Sequence, residues 1–315
     1  MKAPAERSTG QLWAITSYFN PQHYQRRLQN YRQFRARVTA PLLTVELSLN
    51  GGFQLQPDDA DILVQLPGRD VLWHKERLLN IALGAVPRDC RKIAWLDCDI
   101  VLQQRDWAPR TSDLLDQVVL AQPFQDVCEL GRDVALEDVE HPDNDRRGHS
   151  LAYGIGVGAV DADILSQNMR LKGCCSGLAW AARREALQEH GFYDACILGG
   201  GDRAMVCAAL GRFDCAREFL QMTPPWWAHY LAWARPHFDS VQGSIGFLDG
   251  KLLHLWHGDL NDRNYAGRHQ LLKQFDFDPT ADIALDEHGC WRWNSDKPGM
   301  HQYAREYFAA RKEDG

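Results

Sequence analysis

The sequence predicts an α/β protein: a mainly parallel central sheet flanked by helices, in a single compact domain with a C-terminal helical extension. Three observations predict it. Short apolar runs bounded by turn residues alternate with segments of helical spacing. The order along the first hundred residues is strand, helix, strand, strand, helix, strand. No internal repeat or long linker breaks the 315 residues, and their 45% hydrophobic content is ample for one core.

The first strand is expected over 12–17 (LWAITS), closed by the loop Tyr18-Phe19-Asn20-Pro21. Residues 22–37 carry helical spacing, with Tyr24, Leu28, Tyr31 and Phe34 on one side and arginines elsewhere, and Pro41 stops the helix. Residues 42–49 form a second strand before the turn signal Asn50-Gly51-Gly52, and 61–66 a short third. WHKERLLNIALG (73–84) is helical and ends at Val86-Pro87. Residues 93–102, IAWLDCDIVL, read as one fully buried strand. Residues 126–150 are rich in Asp, Glu, Arg and His and read as a mobile, solvated loop. YGIGVG (153–158) lacks the spacing and strand-to-helix context of a dinucleotide fingerprint. Residues 173–190 run from a strand or loop into a helix, Gly199-Gly200-Gly201-Asp202 opens another, and LLHLWH (252–257) alternates as a strand. The tail after about residue 262 reads as helical and then loop-rich.

The net charge of −7, from 42 acidic and 35 basic residues, argues against a broad basic face for nucleic acid but leaves room for a local basic groove. No apolar stretch approaches the ~20 residues of a membrane helix. The N-terminus lacks the apolar segment of a signal peptide, so the expected compartment is the cytoplasm. Nine cysteines, an odd number without CxxC spacing, read as mostly buried thiols.

The chemistry concentrates in Asp97-Cys98-Asp99. Two carboxylates in an apolar run are expensive to bury unless something positive meets them. A divalent cation such as Mg²⁺ or Mn²⁺ is one partner; an arginine or a helix N-terminus is the other. In open α/β sheets, ligands sit at the carboxyl ends of strands, where this triplet falls. His254 and His257 are the candidate nitrogen ligands. On a fully extended strand they would face opposite sides, so one of them points into the site and the other satisfies the core. Asp202, after three glycines, is a helix N-cap or a carboxylate base at the rim of a site. Trp226-Trp227 are a stacking platform for an acceptor, a core plug or a dimer contact.

In order, LWAITSYFNP, WHKERLLNIAL, WLDCD, GLAWAARREAL, GFYDACILGGGDRAM and HLWHG resemble the GT-A class of nucleotide-sugar-dependent glycosyltransferases. The likeness is to the bacterial and phage members of the family 2 type, with a galactosyltransferase-like acceptor motif. It implies a GT-A, Rossmann-like catalytic domain over 11–275 and an extension, 276–315, packed on it. It implies that Asp97, Asp99 and His257 hold Mn²⁺ or Mg²⁺, with His254 as the alternative histidine. It implies that Thr16, Tyr18, Glu46, Trp73, Glu76, Arg77, Asp97, Gly177 and Trp180 contact a UDP-sugar donor, and that Asp202 is the base of an inverting transfer to an acceptor hydroxyl. Where the family often has a Glu-Asp pair, this chain has Gly201-Asp202. The acceptor is a glycan, a small molecule or a hydroxylated base in phage DNA. Two competing readings are a nucleotidyltransferase of related fold and a non-catalytic nucleotide- or sugar-binding module. The first would want a glycine-rich basic loop after the first strand, where this chain has SYFNPQHY; the second has no use for a base.

Overall fold

The computed structural model describes residues 12–134, 136, 146–167, 169–264 and 267–315. β1 (Trp13–Phe19) feeds two buried clusters: Trp13, Ile15 and Phe19 on one face, Ala14 and Tyr18 on the other. This is the two-residue period of a strand covered on both faces. α1 (Gln25–Arg37) turns Asn30, Tyr31 and Phe34 inward and carries Arg35 and Arg37 in its last turn, where the helix dipole favours cations. β2 (Leu42–Ser48), buried throughout, and β3 (Ile62–Pro67) extend the sheet in parallel. α2 (Lys75–Ala85) crosses back, and β4 (Lys92–Leu96) pairs in parallel with the other side of β1.

The apolar run 93–102 is two strands rather than one. β4 stops at Leu96, the chain turns through Asp97-Cys98-Asp99, and β5 (Ile100–Leu102) belongs to a second sheet. The carboxylates thus occupy the crossing between sheets, where they escape the buried ladder that would leave them unpaired.

α3 (Trp107–Leu115) leads to β6 (Leu120–Gln122) and β7 (Asp126–Glu129). The stretch expected as a mobile loop over 126–150 contains two strands: β7 pairs antiparallel with β8 (Arg146–Ser150), while 135 and 137–145 lie outside the described residues. β7 reads Asp-Val-Cys-Glu, its two central residues buried and its charged ends half-buried, so pairing rather than alternation makes it a strand. α4 (Leu151–Gly156), capped by the Ser150 side chain, takes up most of YGIGVG.

β9 (Cys174–Cys175), β10 (Ala179–Arg183) and α5 (Glu185–Gln188) follow, then α6 (Gly201–Ala209), α7 (Phe213–Leu220) and α8 (Pro224–Val241). Thr223 caps α8 and Pro224 opens it. Trp226 is buried against Phe277, with ring centroids 5.2 Å apart, so this tryptophan packs the core. β11 (Ile245–Phe247) and β12 (Lys251–His254) complete the two main sheets. Among the described residues, one has seven strands in the order β11-β6-β10-β4-β1-β2-β3 and the other five, β5-β12-β7-β8-β9. All nine cysteines are free, and all but Cys175 and Cys215 are buried. No helix among the described residues is long and apolar enough to cross a membrane.

The tail holds more structure than its sequence suggests: α9 (Arg268–Lys273), α10 (Pro279–Asp282), a hairpin of β13 (Ile283–Leu285) with β14 (Trp291–Trp293), and α11 (Pro298–Ala309). One buried cluster draws side chains from Trp13 to Phe308, so the tail shares the core of the central sheet. Phe308 meets Phe19 edge-on at 5.5 Å and stacks on Trp73 at 6.1 Å. The Asp314 carboxylate accepts from the backbone N–H groups of Gln25 and Arg26, capping α1 from the far end of the chain.

The tail backbone passes close over Gly258, which has φ +95°; a Cβ there would lie 2.4 Å from the Arg311 carbonyl oxygen. Gly289 also has positive φ, +75°, but open space around it. Gly289→Ala should therefore cost only the left-handed backbone penalty, about 1–2 kcal/mol. Gly258→Ala should cost roughly twice that or more, because the carbonyl cannot yield without lifting the tail. Urea unfolding of the two variants checks the difference.

Candidate functional site

The two carboxylates of the 97–99 turn point to different partners. Asp97 Oδ1 lies 2.6 Å from Lys75 Nζ, which also reaches Asp202 Oδ2 at 2.8 Å. Asp99 turns the other way: its Oδ2 is 3.2 Å from His257 Nε2 and its Oδ1 3.7 Å from His254 Nε2. The two histidine Nε2 atoms are 3.1 Å apart. Asp99, His254 and His257 thus form a set whose ligand atoms all lie within 4.8 Å of one another. Asp97 is outside it.

The histidines converge because β12 ends at His254. Had the strand run on to His257, the two would have diverged; the chain leaves the ladder and brings His257 back. In the β12–β7 register His254 lies beside Glu129, and His254 Nδ1 bonds Glu129 Oε2 at 2.6 Å. A carboxylate on one ring nitrogen leaves the other aimed inward. His257 Nδ1 lies 3.8 Å from Glu313 Oε1. Glu313 is 1% exposed and takes a two-pronged bond from Arg27, at 2.9 and 2.7 Å, and one from Arg311 at 2.6 Å.

These surroundings set the charges. Burial opposes the Asp99 carboxylate, but His257, His254, Arg27 and Arg263 outweigh it and hold its pKa below the ordinary value. Burial, with Arg263 nearby, pushes His257 down to about 3, so its imidazole is neutral at pH 7. Burial also opposes charge on His254, yet Glu129 and Asp99 raise its pKa. Lys75 is held well above its ordinary range because Asp202 and Asp97 overcome its burial.

All of these groups except Glu129 and Glu313 line one cavity of about 560 Å³. Five arginines (27, 203, 263, 268 and 311) and Lys75 line it, with the carboxylates of Asp97, Asp99, Asp202 and Glu218. The wall is thus cationic in a chain of net charge −7. A helix begins beside it: Gly200, at φ +103°, makes the turn into α6. A Cβ on Gly201 would stand 2.3 Å from the Glu76 carboxyl carbon, so only glycine lets α6 pass. Asp202, in the first turn of α6, bonds Lys75 rather than capping the helix.

Of the residues expected to contact a donor, Trp73, Asp97 and Gly177 line this cavity. A Cβ on Gly177 would come within 3.0 Å of Asp202 Oδ2. Thr16 and Tyr18 lie on the opposite face of β1 from Ser17 and Phe19, the strand residues that do line it. The Thr16 hydroxyl is spent on the Leu96 carbonyl at 2.6 Å. Tyr18 and Glu46 line a separate, small depression near Gln54, whose backbone N–H donates to Glu46 at 2.6 Å. Arg77 pairs with Asp194 at 3.0 Å, away from the cavity, and Trp180 is fully buried in β10. Neither Trp226 nor Trp227 lines the cavity. Sequence reasoning missed Lys75, Glu129 and Glu313. The signal for Lys75 was in WHKER: a cation in the first turn of the helix that packs on β1 and β2 and leads into β4.

No protein-family model matches the chain, and no curated protein matches it. Solved structures do. A glucosyl-3-phosphoglycerate synthase from Mycobacterium tuberculosis, with Mn²⁺, uridine diphosphate and phosphoglyceric acid, is similar over 88% of this chain and 82% of its own, at 13% identity and TM-score 0.43. TarS of S. aureus (1–349), with UDP-GlcNAc, is similar over 95% and 72%, at 10% identity and TM-score 0.43. A mannosyltransferase from Pyrobaculum calidifontis, with GDP-Man and Mn²⁺, is similar over 84% and 63%, at 12% identity and TM-score 0.42. At these values the likenesses carry no weight for activity.

Glu76 lies buried behind the cavity wall, 4% exposed, and burial drives its pKa from 4.5 to about 8 against the pull of Lys75. Between those values the folded chain holds a proton that the unfolded chain has released. The stability this contributes is complete below about pH 4.5 and is lost as pH rises through 8. Wild type should therefore lose stability relative to Glu76→Gln between pH 5 and pH 8, by on the order of a few kcal/mol. Urea titrations of both proteins across that range test it, and the difference between them cancels the other titrating groups.

Proposed function

We propose that the chain is a metal-dependent glycosyltransferase that moves a hexose from a UDP-sugar to an acceptor hydroxyl, with inversion and with Asp202 as base. The observation that carries the reading is the Asp99–His254–His257 set at the carboxyl edge of the central sheet, opening into a cationic cavity. The set fits a divalent ion. Asp99 Oδ1 is buried without a hydrogen-bond partner, and two imidazole nitrogens face each other at 3.1 Å beside it. Without an ion, one of those nitrogens must donate a hydrogen bond to the other; with one, both would offer their lone pairs to the same cation. A mixed oxygen and nitrogen set suits Mn²⁺ better than Mg²⁺.

Asp99, His254 and His257 would hold the ion. When bound, it neutralises charge that develops on a departing nucleoside diphosphate. Arg27, Arg263 and Arg311 add fixed positive charge on the same wall. Lys75 ties Asp97 to Asp202 and fixes the Asp202 carboxylate toward Gly177, whose missing side chain leaves room for a sugar. Asp202 would accept the proton of the acceptor hydroxyl. The catalytic domain is proposed to span 11–275. The extension, 276–315, contributes Phe308 and Arg311 to the cavity and Glu313 behind it.

Incubation with a panel of UDP-sugars and Mn²⁺ should release UDP with one of them, and Asp99→Ala should lose the release by at least a hundredfold. Absence of both release and any thermal shift with UDP and Mn²⁺ would sink the reading. Independently, Glu129→Gln should weaken Mn²⁺ binding by 10–100-fold, because His254 loses the carboxylate that orients it. Calorimetric Mn²⁺ titration checks this without any turnover.

A further inference from the structure

The cation lining extends past what a metal-bound donor needs. Asp99 has its own partners in the imidazoles of His254 and His257 and in the cations Arg27 and Arg263. On the other side of the 97–99 turn Lys75 bridges Asp97 and Asp202, and Arg203 is the next residue of α6. Arg203 is 8% exposed. Its Nη1 donates to two carbonyls, Leu165 at 2.9 Å and Gln167 at 2.6 Å, and its guanidinium lies 3.5 Å from the centroid of the Phe219 ring. Those contacts hold the group rigid. No carboxylate among the described residues pairs with it. The charged side chain that bears on it is another cation, Arg268, which donates to the Tyr307 hydroxyl and to His269 Nε2. Both arginines line the cavity, and Glu218, which also lines it, is an exposed residue.

A buried guanidinium such as Arg203, in the field of a second guanidinium and paired with no carboxylate among the described residues, is unfavourable in the empty protein. Burial and Arg268 together lower its pKa to about 10. Such an arrangement becomes favourable once an anion enters, since a rigid planar fork binds an oxyanion with two parallel bonds.

We propose that Arg203 and Arg268 form an anion subsite on the acceptor side of Asp202, and that the acceptor is a hydroxyl compound bearing a phosphate or carboxylate group. The inference rests on the transferase reading for the word acceptor, and on the geometry alone for the anion. A fixed charge one side chain from Asp202 would orient the acceptor so that its hydroxyl, rather than water, meets the base.

The test is calorimetric titration of inorganic phosphate into the protein alone and into protein saturated with UDP and Mn²⁺. Phosphate should bind in both states, and Arg203→Gln should weaken it at least tenfold in both. Arg268→Gln, which leaves the bonds to Leu165 and Gln167 in place, should weaken it too. This second variant keeps the test decisive if Arg203→Gln fails to fold, as judged by circular dichroism. Loss of phosphate binding once UDP is present would overturn the proposal, because the donor's own diphosphate would then occupy these arginines. So would phosphate binding that neither substitution changes, or no binding to wild type. If UDP fails to bind wild type at all, the transferase reading falls, while the dependence of phosphate binding on Arg203 and Arg268 in the protein alone still decides the anion subsite.

Discussion

The cavity is organised by a divergence of two carboxylates at the end of β4. Asp97 and Asp99 are two residues apart, and in an extended chain they would point the same way. Because β4 and β5 belong to different sheets, the chain turns between them and sends Asp97 to Lys75 and Asp99 to the histidines. Each carboxylate then meets a positive or ligating partner that the other cannot reach. Lys75 is more than a neutraliser. A single ammonium bonded to both Asp97 and Asp202 fixes the distance between the β4 turn and the first turn of α6, which carry the two sides of the proposed reaction.

The histidine side depends on an ion network supplied by the tail. Glu313 is among the most buried charges described, with Arg27 and Arg311 both bonded to it. Taking these charges out of water is costly, and an apolar core would serve stability as well. What an apolar core could not supply is a carboxylate close behind His257 together with two guanidinium groups facing the cavity. The network is better understood as a positional device than as a stabilising one. Gly258 shows how closely it is fitted: the backbone of the tail occupies the space where any side chain would begin.

The order of strands and helices was legible through Leu96 because both faces of β1, β2 and β4 are covered, which yields continuous apolar runs. Legibility failed where pairing across the chain decides the outcome. IAWLDCDIVL reads as one strand because nothing local marks the change of sheet. β8 and the tail hairpin are set by partners rather than by propensity. Within the site, Asp97, Asp99, Asp202, His254 and His257 stood out as residue types, and the structure draws them to one cavity. Thr16 and Tyr18 fall on the face of β1 away from the cavity that Ser17 and Phe19 line: a strand's two-residue period leaves either parity possible until the sheet's neighbours are known. Glu129 and Glu313 carried no signal, since one depends on the β7–β12 register and the other on where the final residues dock.

The distribution of charge follows from the same constraint. A chain with an acidic excess presents an outer surface that repels anions in general, yet its cavity wall gathers five arginines and a lysine. Arg27 and Arg311 are fixed by Glu313, Lys75 by two aspartates, and Arg263 by the carbonyls of His257 and Gly258. Each is anchored on one side and leaves its field directed inward, where low dielectric strengthens it. Preorganised in this way, the wall need not rearrange when a charged ligand arrives. An anion that enters exchanges its hydration for dipoles and charges already in place, and Lys75 offsets part of the opposing charge of Asp97 and Asp202.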